Sequence, residues 1–205
     1  MPTSPDSVFL NVPYDARYEK LYLAFISGLC AYGLTPRATL EIPGGERRLD
    51  RIFRLMTSCR YSIHDLSRVQ LDTRPPRTPR FNMPFELGLL LGWLKTDRKV
   101  RHTWFVFEAE ERRLQKSLSD LDGTDPYIHG GRVRGVFRQL SNALVKSKHQ
   151  PSLPQMYRVY SHCWRAVPLV MKYRGATSMF EASVFRGLVV VASEYARLEL
   201  SSQRR

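Results

Sequence analysis

Ser7-Val8-Phe9-Leu10-Asn11-Val12-Pro13 opens the stretch, residues 7–40, that decides the fold of this chain. Its apolar residues run together rather than alternating with polar ones, the pattern of a strand covered on both faces. Tyr18 to Tyr32 then has helical periodicity, with Leu21, Phe25, Ile26, Leu29 and Cys30 on one face. Gly33 falls where a C-cap glycine belongs, and Thr35–Leu40 predicts a second strand. A strand, a helix and a strand in that order form the unit from which parallel sheets grow.

The alternation continues outward. Arg47–Cys59 repeats the helical pattern through Leu49, Ile52, Phe53 and Met56, and Tyr61-Ser62-Ile63-His64 predicts a third strand. Arg68–Arg80 is a polar loop with Pro75, Pro76 and Pro79. Pro84–Leu94 predicts a helix with Pro84 at its first position and Glu86 in its first turn, and Thr103–Phe107 predicts a fourth strand. Residues 108–131 read as a charged stretch and a polar loop, followed by a helix over Val133–Val145. After a break at His149–Pro154 the remainder reads as helical, with Phe180–Leu198 the clearest segment. The expected fold is α/β: a flavodoxin-like or Rossmann-like open parallel sheet flanked by helices. The expected division is an α/β domain over 7–148 and a basic, helical C-terminal extension over 149–205, whether free-standing or packed on the first part.

Composition narrows the function classes. With 43% apolar and 25% charged residues, the chain has ordinary globular content. Its start is polar and proline-rich, and its apolar helical runs are too short to span a bilayer, so a cytoplasmic protein without a membrane partner is expected. Cys30, Cys59 and Cys163 have the spacing of neither a disulfide framework nor a metal site, and buried free thiols are expected. The net charge of +13 is lopsided: residues 98–205 hold 19 basic and 9 acidic groups. Such a half suits nucleic acid, phosphorylated ligands or an acidic partner, but the scattered arginines show no zinc-finger or phosphate-loop spacing, and nucleic acid is not the favoured partner.

In an open parallel sheet, ligands bind beyond the carboxyl ends of the strands. Asn11, Tyr14 and Asp15 follow the first strand there, His64, Asp65, Ser67 and Arg68 the third, and Asn82 and Glu86 open the next helix. Asp120, Asp125 and His129 add a later loop over the same rim. Each also has a plainer role: turn hydrogen bonds for Asn11 and Asp15, caps for Asp65 and Ser67, a core position for His64, an N3 cap for Glu86. Glu86 is the lone ionisable group between Arg80 and Lys95, four residues from Asn82 and on a face shared with Leu89 and Leu90. A partly dry carboxylate facing a pocket suits attack on, or stabilisation of, a ribosyl cation. Asp65 would orient the sugar or assist the leaving base, and Arg17, Arg47, Arg48 or Arg68 would hold a phosphate.

The series Phe9-Leu10-Asn11-Val12-Pro13-Tyr14-Asp15, Asp65-Leu66-Ser67 and Asn82-Met83-Pro84-Phe85-Glu86-Leu87-Gly88 resembles the nucleoside 2-deoxyribosyltransferase superfamily and the related TIR-type NAD-cleaving domains. The resemblance covers about residues 7–145. It implies that Glu86 is the nucleophile toward the anomeric carbon, that Asp65 is the accompanying aspartate, and that Tyr14 lies in the first substrate-lining cluster. Nucleoside, nucleotide or NAD is then the substrate, with no separate cofactor and no metal, in a chain that can form homo-oligomers. Asn11-Val12-Pro13 stands where transferases of free nucleosides carry a glycine-rich turn, and the basic C-terminal part has no counterpart in the pattern. Two other classes stay open: a nucleotide-sensing domain that keeps the crevice without turnover, and a nucleic-acid-associated protein using Arg132, Arg134 and Arg138.

Overall fold

The computed structural model describes residues 4–41, 47–71, 75–96, 101–121 and 123–202. Five strands, β1 (Ser4–Asn11), β2 (Thr35–Ala38), β3 (Cys59–Asp65), β4 (Thr103–Glu108) and β5 (Tyr127–Ile128), form one sheet. Every pairing is parallel, and the order is β2-β1-β3-β4-β5. This is the flavodoxin-like order, whose direction of winding reverses between β1 and β3. The helices are α1 (Glu19–Ala31), α2 (Arg48–Thr57), α3 (Asn82–Thr96), α4 (Arg113–Ser117), α5 (Val133–Ala143), α6 (Leu153–Arg174) and α7 (Ala182–Ser202).

Strand alternation sorts the core onto two faces. Val8 and Leu10 join the cluster built with α1 and α5, whereas Phe9 joins Ile52 and Met56 of α2 and Leu90 of α3. Eleven of the 13 residues of α1 are buried, so this helix has no solvent face. The reason lies at the other end of the chain. Met156, Val159 and Cys163 of α6 and Val184, Phe185 and Leu188 of α7 sit in the same cluster as Phe25 and Leu29, forming a further layer over α1. α6 starts with a reciprocal cap, in which Ser152 accepts from the N–H of Gln155 and the Gln155 side chain accepts from the N–H of Ser152. It ends at Gly175, whose φ of 62° is a left-handed conformation.

Two differences from the sequence reading matter for the site. α3 begins at Asn82, with Phe85 N–H donating to the Phe81 carbonyl, so Pro84 is the third helical residue and Glu86 lies in the second turn. Proline fits there as well as at the first position, because no N–H of the first turn has an intrahelical partner. The first turn of α3 holds no acidic residue, and Glu86 is therefore not an N3 cap. The polar loop after β4 contains a short helix, α4, and a two-residue strand, β5, both too brief for periodicity to reveal. The three cysteines are buried and free, with burial pushing the Cys30 and Cys163 thiols up to about 12. No helix of the described residues is long and apolar enough to cross a membrane.

Candidate active site at the carboxyl ends of β1 and β3

The last residue of β1, Asn11, is in register with His64 on β3, so their side chains meet at the point where the winding reverses. The Asn11 amide donates to His64 Nδ1 at 3.0 Å and to the Met83 carbonyl at 3.0 Å. Asn11 thereby pins the start of α3 to β1, three residues before Glu86. Because His64 Nδ1 accepts, its proton is on Nε2, and burial pushes the ring pKa down to about 3. His64 is a neutral core histidine whose Nε2 has no partner among the described residues.

Glu86 is 7% exposed. Burial pushes its carboxyl up to about 7, with the Arg48 guanidinium at the start of α2 pulling the other way. Its Oε2 is buried without a hydrogen-bond partner among the described residues. Tyr14 shares this environment. Burial raises its phenol, Glu86 adds to the rise, and both its bond to Thr39 Oγ1 (3.1 Å) and Arg48 oppose it. The Tyr14 ring packs against Tyr22 and against Phe180 of the α6–α7 connection, with centroids 6.1 and 6.0 Å away. The α6–α7 connection thus packs against the tyrosine that follows β1.

Asp65, the last residue of β3, anchors a second cluster. It is fully buried, and both oxygens are taken: Oδ1 accepts from Ser67 N–H at 2.8 Å, and Oδ2 accepts from Tyr18 and faces His129 Nε2 at 3.0 Å. Burial alone would raise this carboxyl, but His129, Ser67 and Tyr18 together hold it below its ordinary value. His129 Nδ1 accepts from Gly131 N–H at 3.0 Å, which puts the imidazole proton on Nε2, shared between Asp65 and Ser67 Oγ (3.1 Å). A Ser-His-Asp relay requires serine and aspartate on opposite ring nitrogens, and here both use one, so this is not a hydroxyl-activating triad. Gly130 and Gly131 carry φ of 62° and 65°, and a Cβ on Gly135 would lie 1.9 Å from the His129 carbonyl oxygen. These glycines let the loop after β5 deliver His129 to Asp65. Glu108, at the end of β4, pairs with Arg113, which also donates to the Ser67 carbonyl at 2.9 Å.

The sequence candidates therefore fall into two groups. Glu86, Tyr14 and Arg48 lie within electrostatic range of one another without a direct bond among the described residues. Asp65, Ser67 and His129 come together, with Tyr18. Among the described residues no hydrogen bond or ion pair joins Glu86 to Asp65. Asp15 caps the 3₁₀ turn at Ala16–Tyr18 and is paired with Arg68 at 2.9 Å, while Asn82, Arg17, Arg47, Asp120 and Asp125 are exposed. Leu66, Arg68, Arg80, Phe81, Met83 and Pro84 line a cavity of about 180 Å³ beside the start of α3. Tyr18, Thr39, Glu108 and Arg113 were not among the candidates; nothing in their local sequence marks them. His129-Gly130-Gly131 followed by Gly135 was the readable signal for a loop held close. No three His, Cys, Asp or Glu side chains among the described residues are grouped as metal ligands. No protein-family model, curated protein or solved structure matches the chain.

Proposed function

We propose that the chain cleaves, or transfers across, the N-glycosidic bond of a nucleoside, nucleotide or NAD, with Glu86 as the reacting carboxylate. The observation that carries this reading is Glu86 itself: a buried carboxylate with an unpartnered oxygen, three residues beyond the Met83 carbonyl that is tied to the end of β1, on the rim where such folds bind ligands. A purely structural carboxylate in that position would gain a donor, because an unpaired buried polar oxygen costs about 1–3 kcal/mol. The resemblance of residues 82–88 to the transferase glutamate segment agrees with the assignment.

In the step itself, the C1′–N bond breaks and its electron pair leaves with the base, while a Glu86 oxygen bonds to, or electrostatically supports, C1′. Water or a second base then adds at C1′, the bond to Glu86 is broken if one had formed, and the incoming nucleophile's proton passes to solvent. A cationic C1′ favours the ionised form of Glu86, and the low-dielectric surroundings strengthen that attraction. Tyr14 shapes the wall beside the sugar, and Arg48 carries the charge that meets a phosphate. Asp65, with no oxygen left for substrate, acts as a positioning residue that holds Ser67 at the rim. The cavity at the start of α3, lined by Arg68, Arg80 and Pro84 and not by Glu86 itself, is smaller than the ~300–1,000 Å³ of sites that enclose a whole drug-sized ligand, and so takes one end of a nucleotide.

The test is chromatographic detection of free base after incubation with a panel of nucleosides, nucleotides and NAD. This reading expects release by the natural protein and its loss in both Glu86→Gln and Glu86→Ala. Release that persists in both variants ends the assignment.

A further inference from the structure

Between Asp125 and Glu181 lie 55 residues without a single Asp or Glu, a length that at the chain's overall acidic content would hold about five. The same run carries nine Lys and Arg residues. One of them, Arg158, is paired with Glu199 at 2.6 Å. The others, among them Arg134 and Arg138 on α5 and Arg165 and Lys172 on α6, are exposed and have no ion-pair partner among the described residues. An unopposed field of that size attracts a polyanion.

The outer face of α6 says which kind. Arg158, Arg165 and Lys172 recur every seven residues, or two helical turns, along one side of α6 with steps of about 10 Å, Arg158 being the one already paired with Glu199. Trp164 and Pro168 lie along one flank of this row, and Leu169 and Tyr173 along the other. Trp164, Leu169 and Tyr173 are 40%, 70% and 83% exposed. Trp164 stacks on Tyr160 with centroids 6.1 Å apart, and Arg174 lies over the Tyr173 ring at 5.4 Å. A helix that lies in a membrane surface has the opposite layout, an apolar centre with cations at its edges. Cations along the middle with rings beside them match a charged backbone running along the row while its bases stack outward.

We propose that the outer face of α6 binds single-stranded nucleic acid. The surface is separate from the crevice at Glu86, so it does not depend on the reading of that site.

The experiment is fluorescence anisotropy of the full chain with a labelled 20-nucleotide oligouridylate at 50 and 200 mM salt. A matched duplex and phosphatidylserine vesicles serve as competitors. Binding that weakens steeply with salt is expected. Arg165→Glu with Lys172→Glu is expected to weaken it at least tenfold and to flatten the salt slope by about 1.4. Tyr173→Ala is expected to cost about fivefold or more through lost stacking. The proposal is overturned by no binding at 50 mM salt, by unchanged affinity in the doubly substituted protein, by tighter binding of the duplex, or by displacement of the strand by vesicles alone.

Discussion

Glu86→Gln is predicted to make the protein more stable, and only at neutral and alkaline pH. The carboxyl titrates near 4.5 when the chain is unfolded and near 7 in the folded protein, where burial disfavours its charge. Below about 4.5 both states hold the proton and the carboxyl makes no pH-dependent contribution. Between 4.5 and 7 the folded state binds more protons than the unfolded one, so stability falls as pH rises. Above 7 the full cost is present. A displacement of about 2.5 units at 1.36 kcal/mol each corresponds to about 3 kcal/mol. Solvent screening reduces this little, because the residue is 7% exposed. Glutamine keeps the shape and removes the charge, so the difference between the two proteins isolates Glu86 from every other titrating group. Urea unfolding at pH 4.5 and pH 8 measures it: near-equal midpoints at the lower pH, and a variant more stable by about 3 kcal/mol at the higher. A pH-independent difference, or a variant less stable at pH 8, would mean the carboxylate has a partner and refute the argument.

Asp65→Ala is predicted to destabilise by about 3–5 kcal/mol at pH 7, since it strips Tyr18, Ser67 and His129 of a shared buried acceptor. Because those partners hold the Asp65 carboxyl below its ordinary value of 3.8, its contribution is complete above that value and is lost as the pH falls through the lower, folded one. Urea unfolding at pH 7 and pH 3 should therefore show the gap between natural and substituted protein narrowing in acid. Gly135→Ala is predicted to cost about 1–3 kcal/mol, because its Cβ would meet the His129 carbonyl at 1.9 Å and no rotamer relieves a backbone clash. Gly88→Ala on α3, with nothing within 4 Å, is predicted to stabilise by about 0.5–1 kcal/mol, and thermal melts of the two should move in opposite directions.

Much of the sheet was legible because its signals are local. The apolar run Val8–Leu10, the helical face from Leu21 to Cys30 and the stop at Gly33 suffice for β1, α1 and β2. β5 was not legible, since two residues cannot display a period. The place of the C-terminal helices was half-written in α1, whose apolar residues continue around the helix from Leu21 to Ala31 and so require cover on both sides. The site divides in the same way. Asn11, Asp65 and Glu86 could be placed at strand ends and a helix start from sequence alone, but their partners could not. Tyr18 and His129 reach Asp65 from α1's entry turn and the loop after β5, and only the folded chain brings these together. The burial of Glu86 was legible in part, from the face it shares with Leu89 and Leu90, whereas the missing partner of its Oε2 depends on how α3 packs against its neighbours.

The proposed function makes the ionised Glu86 carboxylate the group that acts at the sugar. Once a substrate is identified, it is tested most directly by the pH dependence of kcat/KM for base release between pH 5.5 and 8.5. The rate is expected to climb with pH along a single limb centred near 7, where burial has placed this carboxyl. A flat profile, or one that falls as the pH rises, would contradict it.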